Sequence, residues 1–363
     1  MAESIASKIT ESLPSKMTVS LPPKMTEPLP STMRVWQYSS TKGGVEKNLK
    51  LNNYAPLPHP KPSQHLVQVI ATALNPVDYK PQEVPVVNRI ILPKFATPGI
   101  DFAGRIVIPA ERSDLKVGQL IFGACGTSPF SGGGLAEYAI VESSNATLVP
   151  HGVPPVEVSC VAVAGMTAYQ SIVPRIRAGD RVFINGGSGG VGVFGIQMAK
   201  AMGAHVTTAC SGYNVAFVKG LGADEVIDYR TTNVVDALVA SGRGFDHAVD
   251  NAGKDKEIFW RADEYLNPEA AIVVVAGEPT LDGAIDTFKR KLLPKLFGGI
   301  KGKVEGFWPY PKKEDLEQIG LWIKEGKVKT VFDERFKFED APRAVEKLKT
   351  GRARGKIVVD VAE

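Results

Sequence analysis

Arg181-Val-Phe-Ile-Asn-Gly-Gly-Ser-Gly-Gly-Val-Gly192 runs as an apolar strand into a cluster of glycines and then into Val193-Phe-Gly-Ile-Gln-Met-Ala-Lys-Ala-Met202, a stretch of helical character. Gly187, Gly189 and Gly192 satisfy a G-x-G-x-x-G spacing. In that pattern glycines permit a tight turn and let the backbone approach a pyrophosphate at the helix N-terminus. The spacing alone is a weak signal. Here a further strand at His205-Val-Thr-Thr-Ala-Cys210 completes a strand-helix-strand unit, and in that context the glycines predict a dinucleotide site. A glycine-rich turn in a non-binding α/β domain would leave the spacing unexplained.

A site that prefers NAD usually carries Asp or Glu at the end of the second strand, about 20 residues past the glycines, to bind the ribose 2′-hydroxyl. No acid stands there. The segment reads Cys210-Ser-Gly-Tyr-Asn-Val-Ala-Phe-Val-Lys219. Ser211 and Asn214 can hydrogen-bond a 2′-phosphate, and Lys219 is a nearby cation with no carboxylate to oppose it. The expected cofactor is NADPH. The same two residues can instead cap the next helix, so both roles are open.

Composition bounds the rest. The 363 residues are 44% hydrophobic and 23% charged, enough for two domains with substantial cores. A net charge of +4, with no Lys/Arg-rich run, gives no nucleic-acid or anionic-membrane footprint. Cys125, Cys160 and Cys210 lie far apart without a C-x-x-C pair, against both a zinc cluster and a disulfide framework. A reducing compartment fits best, taken as the cytoplasm, with organelle association or peripheral membrane attachment as alternatives. The longest apolar stretch, around Ala270-Ala-Ile-Val-Val-Val-Ala276, is too short to span a bilayer and reads as a buried parallel strand.

Residues 1–32 form an octapeptide repeat, Ser7-Lys-Ile-Thr-Glu-Ser-Leu-Pro14 and its two successors. Proline at every eighth position excludes a long helix, and the Ser/Thr/Pro-rich composition predicts a disordered extension. Targeting is the alternative. The segment has no arginine and carries Glu3, Glu11 and Glu27, unlike common transit peptides. From Met33 to about 155, short β-type runs such as Leu66–Ala73, Ala103–Ile108 and Leu135–Val141 alternate with Gly/Pro clusters, as in a small mainly-β domain. A helical segment near Glu157–Ile172 leads into the glycine-rich unit. Strands at Val226–Tyr229, Phe245–Asp250 and Ala271–Ala276 then alternate with helices, predicting a doubly wound parallel sheet over 156–301. Residues 302–363 bring a helix at Lys313–Lys324 and a closing strand at Gly355–Val361, expected to rejoin the first domain.

Several further motifs carry a resemblance: Asn75-Pro-Val-Asp-Tyr-Lys80, Pro98-Gly-Ile-Asp-Phe-Ala-Gly104, Gly132-Gly-Gly-Leu-Ala-Glu-Tyr138, Ala164-Gly-Met-Thr-Ala-Tyr169, Leu221–Tyr229, Glu325–Lys329 and Ala353–Val359. From Met33 onward the chain resembles the medium-chain dehydrogenase/reductase superfamily. Within it, the chain is similar to the zinc-independent quinone-oxidoreductase-like branch, with its chloroplast envelope homologues and reticulon-interacting mitochondrial reductases. Fungal trans-acting enoyl reductases share several of the motifs. The resemblance implies a GroES-like, mainly-β catalytic domain joined to a Rossmann domain. Zinc-dependent relatives have a Cys ligand in the segment matching Asn75–Asp78 and Gly-His-Glu where this chain has Gly99-Ile100-Asp101, so no metal is expected.

Without a metal Lewis acid, the resemblance implies reduction of conjugated enones, enals or quinones by NADPH. Hydride would reach the β-carbon while hydrogen-bond donors meet the charge developing on the carbonyl oxygen. It places Asn75, Tyr79 and Lys80 beside the nicotinamide, with Lys80 as the favoured cationic donor. Lys80 can equally be a solvated lysine with Asp78 as partner, and Tyr79 a core aromatic. It assigns Ser188, Gly189, Gly190, Val191 and Gly192 to the pyrophosphate turn, and Ser211, Asn214 and Tyr229 to the adenosine 2′-phosphate. Thr167 falls near the nicotinamide or packs within its helix, and Gly277 lies at the carboxyl edge of the sheet. The Pro81–Ile91 loop departs from the family pattern, so pocket shape does not transfer. Phe307-Trp-Pro-Tyr-Pro311 either lines a pocket or covers the domain junction. Two other functions stay open: an enoyl reductase acting in trans on a carrier-bound intermediate, and a non-catalytic NADPH-binding sensor. Homodimerisation through the nucleotide-domain sheet is a family-level expectation.

Overall fold

The computed structural model of the protein describes residues 28–84, 93–126, 133–275, 303–307 and 309–362. Residues 1–27 of the repeat, most of the Pro81–Ile91 loop, Trp308 and Gly277 lie outside the described residues. A small antiparallel pair, β1 (Thr32–Gln37) and β2 (Lys50–Pro56), opens the chain. Then come β3 (Gln64–Leu74), β4 (Asp101–Ile108), β5 (Leu120–Ala124), β6 (Tyr138–Glu142) and β7 (Ala146–Leu148). The parallel strands are β8 (Arg181–Asn185), β9 (His205–Cys210), β10 (Glu225–Asp228), β11 (Phe245–Asp250), β12 (Leu266–Val274) and β13 (Lys303–Gly306). Last are β14 (Phe332–Lys337) and β15 (Lys356–Asp360).

Two sheets organise the molecule. One has the order β14-β15-β3-β4-β5-β7, with β6 also paired to β3, so the C-terminal strands complete the sheet begun by the N-terminal half. The other, all parallel, has the order β10-β9-β8-β11-β12-β13, with the glycine-rich strand β8 near its centre. This is a GroES-like, mainly-β domain beside a Rossmann doubly wound sheet. One boundary differs from the sequence reading. Lys303–Gly306 pairs in parallel with β12 and extends the nucleotide sheet past residue 301. Its four residues, Lys-Val-Glu-Gly, carry no apolar run and sit at a sheet edge, where charged residues are common.

The helical run Pro155–Arg175 extends the expected Glu157–Ile172 segment by a few residues at each end. Among the described residues it is the one helix long and apolar enough to cross a membrane, but 72% of its most apolar window is buried inside the protein. It is a core element. Val158, Val161, Ala164, Met166 and Ala168 from this run share a buried cluster with Ala71, Ala73, Ala103 and Val358 of the catalytic sheet. Val193, Phe194 and Met198 of the glycine-rich helix belong to the same cluster. Alanines on β3 and β4 leave room for the helix to lie close, and about 25 cal/mol per Å² of apolar burial holds the two sheets in fixed relation.

Candidate active site

The loop that carries the candidate substrate residues, called the substrate loop below, follows β3. Pro76–Asp78 forms a 3₁₀ turn, with proline at its first position and a reciprocal capping box between Asn75 and Asp78. The Asp78 carboxylate accepts the Asn75 N–H at 2.7 Å, and those of Gly99 at 3.0 Å and Ile100 at 3.1 Å, tying this loop to the Pro98–Asp101 turn. Burial pushes its acid constant up to about 7 against the pull of those N–H groups. Asp78 is therefore a turn residue and not the partner of Lys80. Lys80 is half-buried, and its ammonium has no carboxylate partner among the described residues. The Tyr79 ring packs against the catalytic-domain core with the Lys349 ammonium 5.5 Å from its centroid, and burial raises its hydroxyl pKa. Lys349 in turn binds Glu46 at 2.6 Å and Glu83 at 2.7 Å.

Asn75 faces inward. Its amide donates to Asp101 Oδ2 at 2.9 Å and to the Ala73 carbonyl at 3.3 Å, while its oxygen accepts from Lys356 Nζ. Lys356 was not singled out from the sequence. Its signal was periodicity: it opens β15 on the same pleat face as Val358, which is buried at the junction, while Ile357 and Val359 face the catalytic core. Asp101 opens β4 on the face it shares with Ala103, and its other oxygen accepts the Val163 N–H at 2.6 Å. Val163 belongs to a π-helical turn, Val161–Gly165, that runs into the helix Met166–Ile172. Thr167 is buried in that helix one residue after its start. Burial pushes the Asp101 carboxyl above the ordinary range, and the Lys356 ammonium, the next largest influence, pulls it back.

The glycine-rich turn expected to take the pyrophosphate lies beside these residues. The helix Gly190–Ala201 starts at Gly189 without a side-chain cap, leaving the first N–H groups for an anion. A Cβ on Gly192 would sit 2.3 Å from the Gly186 carbonyl oxygen, and one on Gly187 would sit 2.0 Å from Thr208 Oγ1. Both positions demand glycine. Ser188, Gly189, Gly190 and Val191 are only half-buried, so the turn is reachable. Asn214 joins it to the candidate adenosine end, its amide donating to Ser188 Oγ at 3.0 Å and Ser211 Oγ at 3.2 Å, while its own buried carbonyl oxygen has no partner among the described residues. Ser211, Asn214 and Ser188 are thus brought together. Tyr229 is 55% exposed nearby, its N–H bonded to the Cys210 carbonyl at 3.2 Å. Lys219 lies exposed in the last turn of the helix Val215–Gly220 and shares no hydrogen bond with this group among the described residues. Arg230 was missed: its guanidinium lies over the exposed Tyr213 ring at 5.7 Å. The sequence signal was its place directly after Tyr229.

At the carboxyl edge of β11, Asp250 accepts from Asn185 at 2.8 Å and from the N–H groups of Ala252 and Gly253. The adjacent Asn251 has a buried amide with neither end satisfied among the described residues, a further feature sequence reading did not mark. An open groove of about 660 Å³, lined by Gln197, Lys200, Lys327, Lys329 and Phe332 among others, touches none of the residues predicted to bind substrate or cofactor. At the junction, Tyr310 of the Phe307–Pro311 cluster bonds Gln170 through its N–H and carbonyl.

The glycine cradle and the unsatisfied Asn214 oxygen fit a dinucleotide. Two family models match: an alcohol dehydrogenase GroES-like domain over residues 61–151 and a zinc-binding dehydrogenase domain over 221–359. The trans-enoyl reductase pgmF of Aspergillus terreus is 47% identical, covering 92% of this chain and 97% of its own. The chloroplast envelope quinone oxidoreductase homolog of Arabidopsis thaliana is 33% identical over 90% and 98% of the two chains. The solved quinone oxidoreductase of Coxiella burnetii superposes with a TM-score of 0.78 at 28% identity, covering 91% of this chain and 99% of that one. The chain belongs to the medium-chain dehydrogenase/reductase superfamily, in its quinone-oxidoreductase-like branch. It is an oxidoreductase with a nicotinamide dinucleotide site.

The residues do not fit the zinc ion that the second family model's description implies. Among the described residues no group of three or more His, Cys, Asp or Glu is arranged to hold a metal. The segments matching the ligand positions of zinc-dependent relatives already meet a cation, the ammonium of Lys356. A divalent ion beside it would be repelled.

Proposed function

We propose that the protein is an NADPH-dependent reductase of the C=C bond of α,β-unsaturated carbonyl compounds, enones or enals, and that quinones are also acceptors. The observation that carries this reading is the distribution of positive charge. The Lys356 cation is held by protein atoms at the junction, whereas Lys80, on the same loop as Asn75, has no carboxylate partner among the described residues. A substrate carbonyl would therefore be polarised by donors on the loop, Lys80 first, with no metal required. When bound, the nicotinamide supplies the hydride. Ser188 to Gly192 would bind the pyrophosphate, and Ser211, Asn214, Tyr229 and Arg230 the 2′-phosphate, where a guanidinium and two hydroxyls favour a dianion. Thr167 and Asn251 would flank the nicotinamide end. Asn75 would act by holding the loop, since its amide already has three protein partners.

One observation favours a carrier-bound substrate within the same chemistry: the 47% identical relative is a trans-enoyl reductase that matches along nearly the whole chain. Homodimerisation is proposed through β13, which ends the six-stranded sheet. The test is NADPH oxidation at 340 nm against free enones, enals, quinones and an enoyl thioester, with NADH in parallel. Turnover of the thioester alone selects the carrier-bound reading. Tight NADPH binding with no turnover on any acceptor replaces the reductase with a sensor.

A further inference from the structure

Lys356 is the buried charge that the proposed chemistry leaves without a task. Its side chain is 3% exposed and that of Asp101 is 0%. The ammonium bonds Asn75 Oδ1, lies 3.3 Å from the Leu74 carbonyl and 3.4 Å from Asp101 Oδ2. Three strand ends create this meeting point. β4 begins at Asp101 opposite Ala73, β15 pairs Ile357 with Leu74, and β3 ends where the substrate loop starts.

The other end of the same residue touches the cofactor turn. Gly355 donates its N–H to the Ser188 carbonyl at 3.1 Å, and the Lys356 Cδ lies 3.2 Å from where a Cβ on Gly190 would be. Glycine at 190 thus admits the lysine stem against the start of the phosphate-binding helix. Asp101 extends the chain of contacts to the π-helical turn and, through it, to the helix of Thr167. A buried unpaired charge is strongly unfavourable, so a lysine here is retained against a cost that an apolar residue would avoid.

We propose that Lys356 is a positioning residue: a strut that couples the pyrophosphate turn to the substrate loop and supplies, as a fixed ammonium, the cation that zinc-dependent relatives place between the same two segments. Its effect on reduction rests on the reading above. Its mechanical role does not. Binding at Ser188–Gly192 is transmitted through Gly355 and Lys356 to Asn75, and so to Lys80.

The experiment uses the full chain and two variants, Lys356→Met and the charge-neutral pair Lys356→Met/Asp101→Asn. The single variant strands Asp101 and should lower Tm by about 8 °C, and the pair should recover most of that loss. Hydrogen exchange of residues 75–84 is then followed with and without saturating NADPH, which needs no acceptor. In the wild type, NADPH should slow exchange of this loop several-fold. In the pair, NADPH should still bind, but that protection should disappear. If an acceptor is known, kcat should remain down roughly 10- to 100-fold in the pair while KM for NADPH changes little. The same loop protection in the pair as in the wild type overturns the strut. So does a pair whose kcat recovers together with its Tm, because Lys356 would then be only the counter-ion of Asp101.

Discussion

The domain junction and the adenosine end solve opposite problems. At the junction, Asn75, Asp101 and Lys356 are buried and bonded to one another and to backbone, so the protein itself satisfies its charges. At the proposed adenosine end, Tyr213 is 79% exposed, Tyr229 is 55% exposed, and Asn214 keeps an oxygen without a partner among the described residues. Charges enclosed in protein set geometry, and their removal is felt as stability. Groups left open await a ligand, and their removal is felt as affinity. The glycine turn lies between, bonded through Ser188 to Gly355, just before β15, on one side and to Asn214 on the other.

That contrast can be broken or sharpened by substitution. The largest effect should come from Asp101→Ala, which leaves Lys356 buried without a carboxylate. A loss of about 3–5 kcal/mol is expected in urea unfolding, and a loss below 1 kcal/mol would mean that water reaches the pair. Gly192→Ala comes next, because its methyl group would collide with the Gly186 carbonyl and the Gly187 backbone. NADPH affinity measured by fluorescence should fall about 100-fold, equivalent to roughly 2.7 kcal/mol. Lys80→Ala should cut kcat/KM for an enone by roughly 10- to 100-fold with Tm unchanged. An unchanged kcat/KM would withdraw its role as donor.

Arg230→Ala should weaken NADPH binding about tenfold and leave NADH binding and Tm nearly as they were, because an exposed arginine stacked only on the exposed Tyr213 ring adds little stability and, in the proposed site, would meet only the 2′-phosphate. Equal losses for both cofactors would remove Arg230 from the 2′-phosphate site. The smallest effect is that of salt. Raising ionic strength from about 0.05 to 0.3 M should weaken NADPH more than NADH, since exposed charge pairs are screened and buried ones are not.

Much of this was legible in the sequence where a backbone requirement leaves a residue signature. Gly187, Gly189 and Gly192 marked the turn because a side chain at two of them would strike protein atoms. Apolar runs marked β8, β11 and β12 because parallel strands are buried on both faces. The signature failed where long-range packing decides. Strand periodicity is the one local sign that Lys356 is buried, and it is outweighed because a lysine next to Arg354 and Gly355 reads as solvated until β3 and β4 close over it. By contrast Pro155–Arg175 was legible as one helical segment near Glu157–Ile172, though not the π-helical turn at Val161–Gly165 within it. Lys303–Gly306 has no alternation to detect. Asn75 stood out in the sequence as a candidate, but its inward orientation depends on a partner 281 positions away.

The most direct measurement is the fate of the transferred hydrogen. Reduction of an enone or enoyl thioester with [4-²H]NADPH, followed by NMR of the product, should place one deuterium at the β-carbon with the carbonyl intact. Deuterium on the former carbonyl carbon, with an allylic alcohol as product, would contradict the account and make the protein a carbonyl reductase.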